Sequence, residues 1–231
     1  MKAKLVTLAM AAVVSSAASA VDLKTDQDKV SYAIGYQMGQ DFKQQAIPVT
    51  AATLAQGFSD GFSSAKPQMT TQQMQDTLNS FRQKMIAQKQ AEAKALSESN
   101  KKSGEKFLAD NKKQAGIVTL ADGLQYKVIT EGKGAMPKEG DTITVNYSGK
   151  FVDGKEFDSS YQRGKAATFV LSKDLIPGWV EALKMMKAGS TWELYVPANL
   201  GYGERGVGPI GPNQVLIFKI ELISSKPAAK K

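Results

Sequence analysis

Apolar residues recur every four positions near the start of the chain and every two positions toward its end, and this change of period divides the sequence. Val30, Ile34, Met38 and Phe42 form one helical stripe, and Thr25-Asp26-Gln27-Asp28 before it reads as a capping start. Leu54, Phe58 and Phe62 repeat the pattern in a second helix that begins after Thr50 and is closed by Pro67. Gly35 and Gly39, then Gly57 and Gly61, sit four apart beside these stripes. Glycine costs about 1 kcal/mol in a helix interior, so such pairs predict another backbone approaching closely. The bland reading of each stripe is an ordinary internal core. Roughly forty residues bury too little surface to make one alone, so a partner subunit is the expectation.

The next section reads as one long helix. Thr70 and Gln73 make a capping box, and Met74, Leu78, Phe81 and Met85 make a heptad-like seam that can pack on the first section. Beyond Met85 the seam fades into Gln, Lys, Glu, Ala and Ser. A helix polar on every side usually bridges domains through solvent. From Thr70 to about Lys113 it would reach roughly 65 Å at 1.5 Å per residue, with Ser103-Gly104 as a soft point.

The last section alternates. Thr142-Ile143-Thr144-Val145-Asn146-Tyr147 and Trp192-Glu193-Leu194-Tyr195-Val196 read as strands, and Leu216, Phe218, Ile220 and Leu222 share one face. Asp122-Gly123 and Asp153-Gly154 are hairpin-type turns. One short helix interrupts, from about Trp179 to Lys187, ended by Gly189. An antiparallel sheet with a helix packed on it is an α+β domain.

Composition removes several chemistries. The chain has no cysteine and no histidine, which excludes Cys and His nucleophiles, His general bases and His/Cys metal sites. Lys2 and Lys4, the apolar run Leu5–Val14 and Ala18-Ser19-Ala20 have the order of a secretory signal peptide cleaved after Ala20. That run is too short to span a bilayer. The net charge of +8 is concentrated: Arg82 to Lys113 holds nine basic and four acidic residues, whereas residues 116–224 hold twelve of each. Aromatic residues are nearly absent from the basic stretch, so a solvated helix surface is a better reading than a nucleic-acid interface.

Five blocks then stand in order: Val145-Asn-Tyr-Ser-Gly-Lys-Phe-Val-Asp-Gly154, Glu156-Phe-Asp-Ser-Ser160, Leu175-Ile-Pro-Gly-Trp179, Leu200-Gly-Tyr-Gly203 and Leu216-Ile-Phe218. In order and spacing they resemble the FKBP-type peptidyl-prolyl cis–trans isomerases. The remainder is similar to the exported members of the macrophage infectivity potentiator (Mip) and FkpA type, so the resemblance covers essentially the whole chain. It implies a signal peptide over 1–20, a helical dimerisation module over 21–68, a linker helix over 69–114, a half-barrel sheet wrapped around one short helix over 115–225, and a basic tail over 226–231. Carried over by position, Tyr147, Phe157, Phe169, Leu175, Ile176, Trp179 and Phe218 would line an apolar pocket floored by Trp179. Asp158, Tyr202 and the Ile176 N–H would supply its polar contacts, so that Asp158, Tyr202, Tyr147 and Ile176 carry the catalysis and the others hold substrate. Arg163 would pair with Asp158, and Ile210 is left as a rim contact because the 202–212 loop departs from the smallest family members.

Partners implied are proline-containing polypeptide clients, macrolides of the rapamycin type and a second copy joined through the N-terminal helices. Neither nucleic acid nor a cofactor is expected, and membrane association would be peripheral. The periplasm is the expected location, with the outer membrane or cell surface as an extension of it. Taken singly, each aromatic residue reads as core, Asp158-Ser-Ser as a turn, and Asp158 with Arg163 as a surface ion pair of little worth; their joint order reverses the odds. Two rivals stand beside this reading. One is a chaperone that holds unfolded chains, for which the pocket residues would be superfluous. The other is a carboxylate hydrolase at Asp153 and Asp158, for which no nucleophile–base pair is present.

Overall fold

The computed structural model describes residues 21–228, so the signal-peptide reading over 1–20 and the end of the basic tail lie outside the described residues. Three helices come first: α1 (Asp26–Gln44), α2 (Ala51–Phe62) and α3 (Thr71–Asn111). The α1 start is a closed capping box, in which the Asp28 amide donates to Thr25 Oγ1 at 3.1 Å and the Thr25 amide donates to Asp28 Oδ2 at 2.9 Å. Thr70 and Gln73 repeat it at the start of α3, at 2.9 and 3.1 Å. Neither α1 nor α2 buries a single residue. Ile34, Phe58 and Phe62 are 59, 69 and 84% exposed. A Cβ built on Gly35, Gly39, Gly57 or Gly61 meets nothing within 4 Å, so no close approach occurs there among the described residues.

The chain divides into two compact units, one ending at Gln75 and one beginning at Asp76. The second is built on an antiparallel sheet with strands β1 (Ile117–Thr119), β2 (Gln125–Thr130), β3 (Thr142–Phe151), β4 (Glu156–Ser159), β5 (Ala167–Val170), β6 (Thr191–Val196) and β7 (Leu216–Lys226). Their order is β1-β2-β6-β7-β3-β4, with β5 beside β4 on the outer edge of β3. Asp122-Gly123 and Asp153-Gly154 make the expected turns: each Asp side chain accepts an amide two residues on, and each glycine takes a positive φ. On β3 the residues Ile143, Val145, Tyr147 and Gly149 alternate inward, opposite Leu222, Ile220 and Phe218 of β7. Helix α4 (Pro177–Met185) lays Trp179, Ala182 and Leu183 onto that face, closing the core.

Two elements differ from the sequence reading. Helix α4 starts two residues earlier, with Pro177 in its first turn, where a missing N–H leaves nothing unsatisfied. It ends at Met185, before Gly189, because Met186 turns extended and sinks its side chain wholly into the core. The end of α3 is also not free in solvent. Gly104 and Asn111 are buried, Phe107 packs on Tyr195 with centroids 6.0 Å apart, and Asn111 Nδ2 donates to Gln125 Oε1 at 2.9 Å. Gly104 is no soft point: a Cβ there would come within 2.6 Å of Val215, so the glycine permits contact.

Candidate active site

Tyr147 enters the site from the middle of β3, between the stretches that pair with β5 and β4. Its backbone is fixed there by Ser160, whose buried Oγ accepts the Tyr147 amide at 2.8 Å. Phe157 and Asp158 come from β4, Phe169 from β5 and Phe218 from β7. Trp179 is delivered by the α4 start. Ile176 caps the helix in an extended conformation, and Gly178 lets the first turn press on Val196, which a Cβ would meet at 2.8 Å.

These residues wall a cavity of about 200 Å³ lined by Tyr147, Phe157, Asp158, Phe169, Asp174, Leu175, Ile176, Trp179, Tyr202 and Phe218. All nine residues singled out in the sequence are brought together, from segments more than seventy positions apart. Asp174 joins them without having been singled out. It is an exposed loop carboxylate preceding Leu175, and no periodicity marks it. Ile210 is not among the lining residues; it is 7% exposed and packed in the core. Trp179 is nearly buried, and the rings of Tyr147, Phe169 and Phe218 meet it edge-to-face at 5.1, 5.9 and 5.2 Å. Such pairs hold one another in fixed orientations and contribute about 0.5–1.5 kcal/mol each beyond burial. A second hollow of similar size, about 210 Å³, is lined by Lys101, Glu105, Glu204 and shorter side chains with no aromatic residue, so its chemistry is of another kind.

One side of the cavity is polar. Tyr147 Oη donates to Asp158 Oδ2 at 2.5 Å, Arg163 Nη2 donates to Tyr147 Oη at 2.8 Å, and Arg163 Nη1 pairs with Asp158 Oδ1. The guanidinium also sits 5.4 Å from the Tyr147 ring centroid. Burial works to raise the Asp158 pKa, but the hydrogen bonds from Tyr147 and Arg163 outweigh it, and the carboxyl titrates below its ordinary value. Tyr147 is pushed up by burial and by its bond to Asp158. Tyr202 is pushed up by burial and by the Asp158 charge, so its hydroxyl keeps its proton at neutral pH. Neither that hydroxyl nor the Ile176 N–H has a hydrogen-bond partner among the described residues. Two donors therefore stand unused on the wall of an aromatic pocket. Among the described residues no three His, Cys, Asp or Glu side chains gather to hold a metal.

Comparison with known proteins gives concordant matches. The family model described as FKBP-type peptidyl-prolyl cis-trans isomerase matches residues 133–223, and one described as the domain amino terminal to it matches residues 27–128. The chain is 51% identical to the outer membrane protein MIP of Legionella longbeachae, over 99% of this chain and all of that one. It is 45% identical to the peptidyl-prolyl cis-trans isomerase Mip of Coxiella burnetii, over 92% of each. The crystal structure of FkpA from Escherichia coli superimposes with a TM-score of 0.70 at 36% identity, covering 90% of this chain and all of that chain.

Proposed function

The chain belongs to the FKBP-type peptidyl-prolyl cis–trans isomerases and is an isomerase of that class, and we propose that the cavity floored by Trp179 is where it turns X-Pro bonds of exported proteins. The observation that carries this assignment is the combination of a closed aromatic floor with two unpartnered donors, Tyr202 Oη and Ile176 N–H, beside it.

The barrier to turning an X-Pro bond is ~18–20 kcal/mol and comes from amide resonance. No covalent bond forms or breaks, so the task is to favour the twisted amide over the planar one. Water stabilises the planar, charge-separated form, and a pocket of Tyr147, Phe169, Trp179 and Phe218 withholds that stabilisation when the proline ring enters. Phe157 and Leu175 extend this apolar surface. The Ile176 amide and the Tyr202 hydroxyl hold carbonyls of the substrate in the twisted geometry. Donors fixed before the substrate arrives cost little reorganisation, which is why they discriminate in favour of the transition state. Asp158 stays ionised at neutral pH, held by Arg163, and fixes the Tyr147 hydroxyl at the pocket wall.

The test is isomerisation of a proline tetrapeptide by the chain from residue 21 onward, beside Asp158→Ala and Tyr202→Phe, with and without rapamycin. Loss of a hydrogen bond worth about 1.4 kcal/mol lowers the rate about tenfold. The expected result is a rate enhancement that falls by about that factor in each variant and is blocked by the macrolide. A folded protein with no enhancement would leave the chaperone reading as the better account.

The N-terminal helices join two copies of the chain, which is supported by the lack of any buried residue in α1 and α2 and by the match of this region to the domain amino terminal to FKBP-type isomerases and to FkpA. The division into a helical module over 21–68, a linker over 69–114 and an isomerase domain over 115–225 belongs to the same reading. The protein is exported, supported by the signal-like first twenty residues and by a relative named an outer membrane protein. Among the described residues no helix is long and apolar enough to cross a membrane.

A further inference from the structure

Tyr202 stands on a glycine-rich loop. It lies between Gly201 and Gly203, is 38% exposed, and precedes a run in which Gly203, Gly206 and Gly208 all take positive φ. Glycine in that region carries no side-chain restraint on the backbone. The loop is closed at its neck by two backbone bonds: the Gly203 amide donates to the Ala198 carbonyl at 2.8 Å, and the Asn213 amide donates to the Gly203 carbonyl at 2.9 Å. Asn213 therefore holds the residue next to Tyr202.

Asn213 is in turn held by α3. Its φ is +52°, a conformation that asparagine tolerates better than most residues, and this turns its side chain so that Nδ2 donates to Ser97 Oγ at 2.8 Å. One turn along the helix, Asn100 Nδ2 donates to the Pro212 carbonyl at 2.8 Å. Both contacts join residues more than a hundred positions apart, and both are half-buried. Gly211 passes close to the same helix face, where a Cβ would lie 3.5 Å from Leu96 and 3.6 Å from Asn100. Farther along, Gly104 lets Val215 press directly on the helix. These contacts grip the loop neck, whereas the sheet and the Trp179 floor are packed without them.

We propose that the C-terminal part of α3 is a positioning element of the isomerase site: through Ser97 and Asn100 it fixes Asn213 and Pro212, and through them the orientation of Tyr202. Ser97, Asn100 and Asn213 touch no substrate; they set how often the Tyr202 hydroxyl stands where a substrate carbonyl needs it. The inference rests on the role given to Tyr202 above, and its test separates the two.

The variants are Asn213→Gly, which keeps the left-handed backbone and the amide to Gly203 while removing only the contact to Ser97, and Asn100→Ala. Each is made in the full exported chain, alone, together, and combined with Tyr202→Phe. The expected result for the pair is a fall of about fivefold in kcat/KM on a proline tetrapeptide, with the thermal midpoint within a few degrees of the parent. In the Tyr202→Phe background the same pair costs less than twofold, because the group being positioned is already gone. Backbone relaxation of Tyr202 and Gly203 amides by NMR gives a readout that does not depend on activity, and both should gain exchange broadening in the pair. Equal losses in both backgrounds, or unchanged Tyr202 relaxation, would overturn the positioning role. If Tyr202→Phe by itself leaves turnover intact, the catalytic role of Tyr202 fails, and the relaxation data still decide whether α3 holds the loop.

Discussion

Gly149 lies directly beneath Phe157: a Cβ built on it would come within 2.7 Å of that ring, and within 2.8 Å of Phe218. It faces Phe218 across the β3–β7 ladder and occupies a core position that Ile143, Val145 and Tyr147 fill with side chains. The missing side chain is the space in which two walls of the pocket meet, with the Phe157 and Phe218 rings 5.7 Å apart and perpendicular. Gly149→Ala should therefore displace both rings. Overpacking of this kind costs about 1–3 kcal/mol, and affinity for rapamycin should fall with stability. Calorimetry of ligand binding beside thermal unfolding checks this; an alanine variant with unchanged affinity would mean that the rings do not form the binding wall.

The Asp158 carboxylate titrates below its ordinary value because Tyr147 and Arg163 outweigh the effect of burial. A depressed folded-state pKa contributes stability above the unfolded value, about 3.9, and that stability is lost as pH falls through the folded value. Activity between pH 5 and 8 should accordingly show no limb from Asp158. Tyr147→Phe removes one of the two donors, so the Asp158 pKa should move up toward about 3.9. A carboxyl-carbon NMR titration of both proteins measures the shift, and an unmoved value would mean that the tyrosine bond does not restrain the acid.

Glu181 follows Trp179 by two positions on α4 and shares a hydrogen bond with Asp122 in the β1–β2 turn; that bond, then burial, then the Asp122 charge push its pKa up to about 7. The sign is opposite to that of Asp158. A raised folded-state pKa means that the native protein keeps a proton the unfolded chain releases, so the pair contributes stability at low pH and loses it as pH rises through 7. Asp122 is held down by the same bond, and its own loss falls below the window from about 4.5 to 7 that Glu181 governs. The midpoint of thermal unfolding should decline more from pH 5 to pH 8 in the parent than in Glu181→Gln. Parallel profiles would show that the pair does not share a proton.

How much of this was legible in the sequence depended on whether a residue belongs to a repeating pattern or to a block. The alternation through Thr142–Tyr147 and Leu216–Leu222 names the inward faces of β3 and β7 because a half-buried strand cannot hide its period. Tyr147, Phe157, Trp179 and Phe218 reach one cavity as the five blocks imply, though each of these rings taken singly reads as core. Asp174 escaped because an exposed loop carboxylate has no pattern around it. The bond from Arg163 to the Tyr147 hydroxyl and the Glu181–Asp122 pair escaped because side chains 16 and 59 positions apart meet only once the sheet has closed. The docking of α3 was hidden for another reason. Its anchors are Ser97, Asn100, Gly104, Phe107 and Asn111 on a helix that looks solvated on every side, and one aromatic ring among scattered polar and glycine contacts leaves no periodicity.

The faces of α1 and α2 carry uncovered apolar side chains. Ile34, Phe58 and Phe62 are exposed in a single chain, and burying large apolar side chains of this kind gives about 1.5–3 kcal/mol each. An interface of standard size removes ~1,200–2,000 Å² from water, which two such helices from each copy can supply. The chain from residue 21 onward should therefore sediment at twice its monomer mass at micromolar concentration. Phe58→Asp places an unpaired charge in that contact and should give monomers. Tetrapeptide turnover should stay within about twofold of the parent, because Phe58 is remote in sequence from every pocket residue and a tetrapeptide needs one site. Catalysed refolding of a whole protein client should fall further, because two sites in one particle hold an extended chain at a raised effective concentration. A parent protein that sediments as a monomer would sink the dimer. A monomeric variant that refolds the client as fast as the parent would leave the dimer standing but remove its purpose in catalysis.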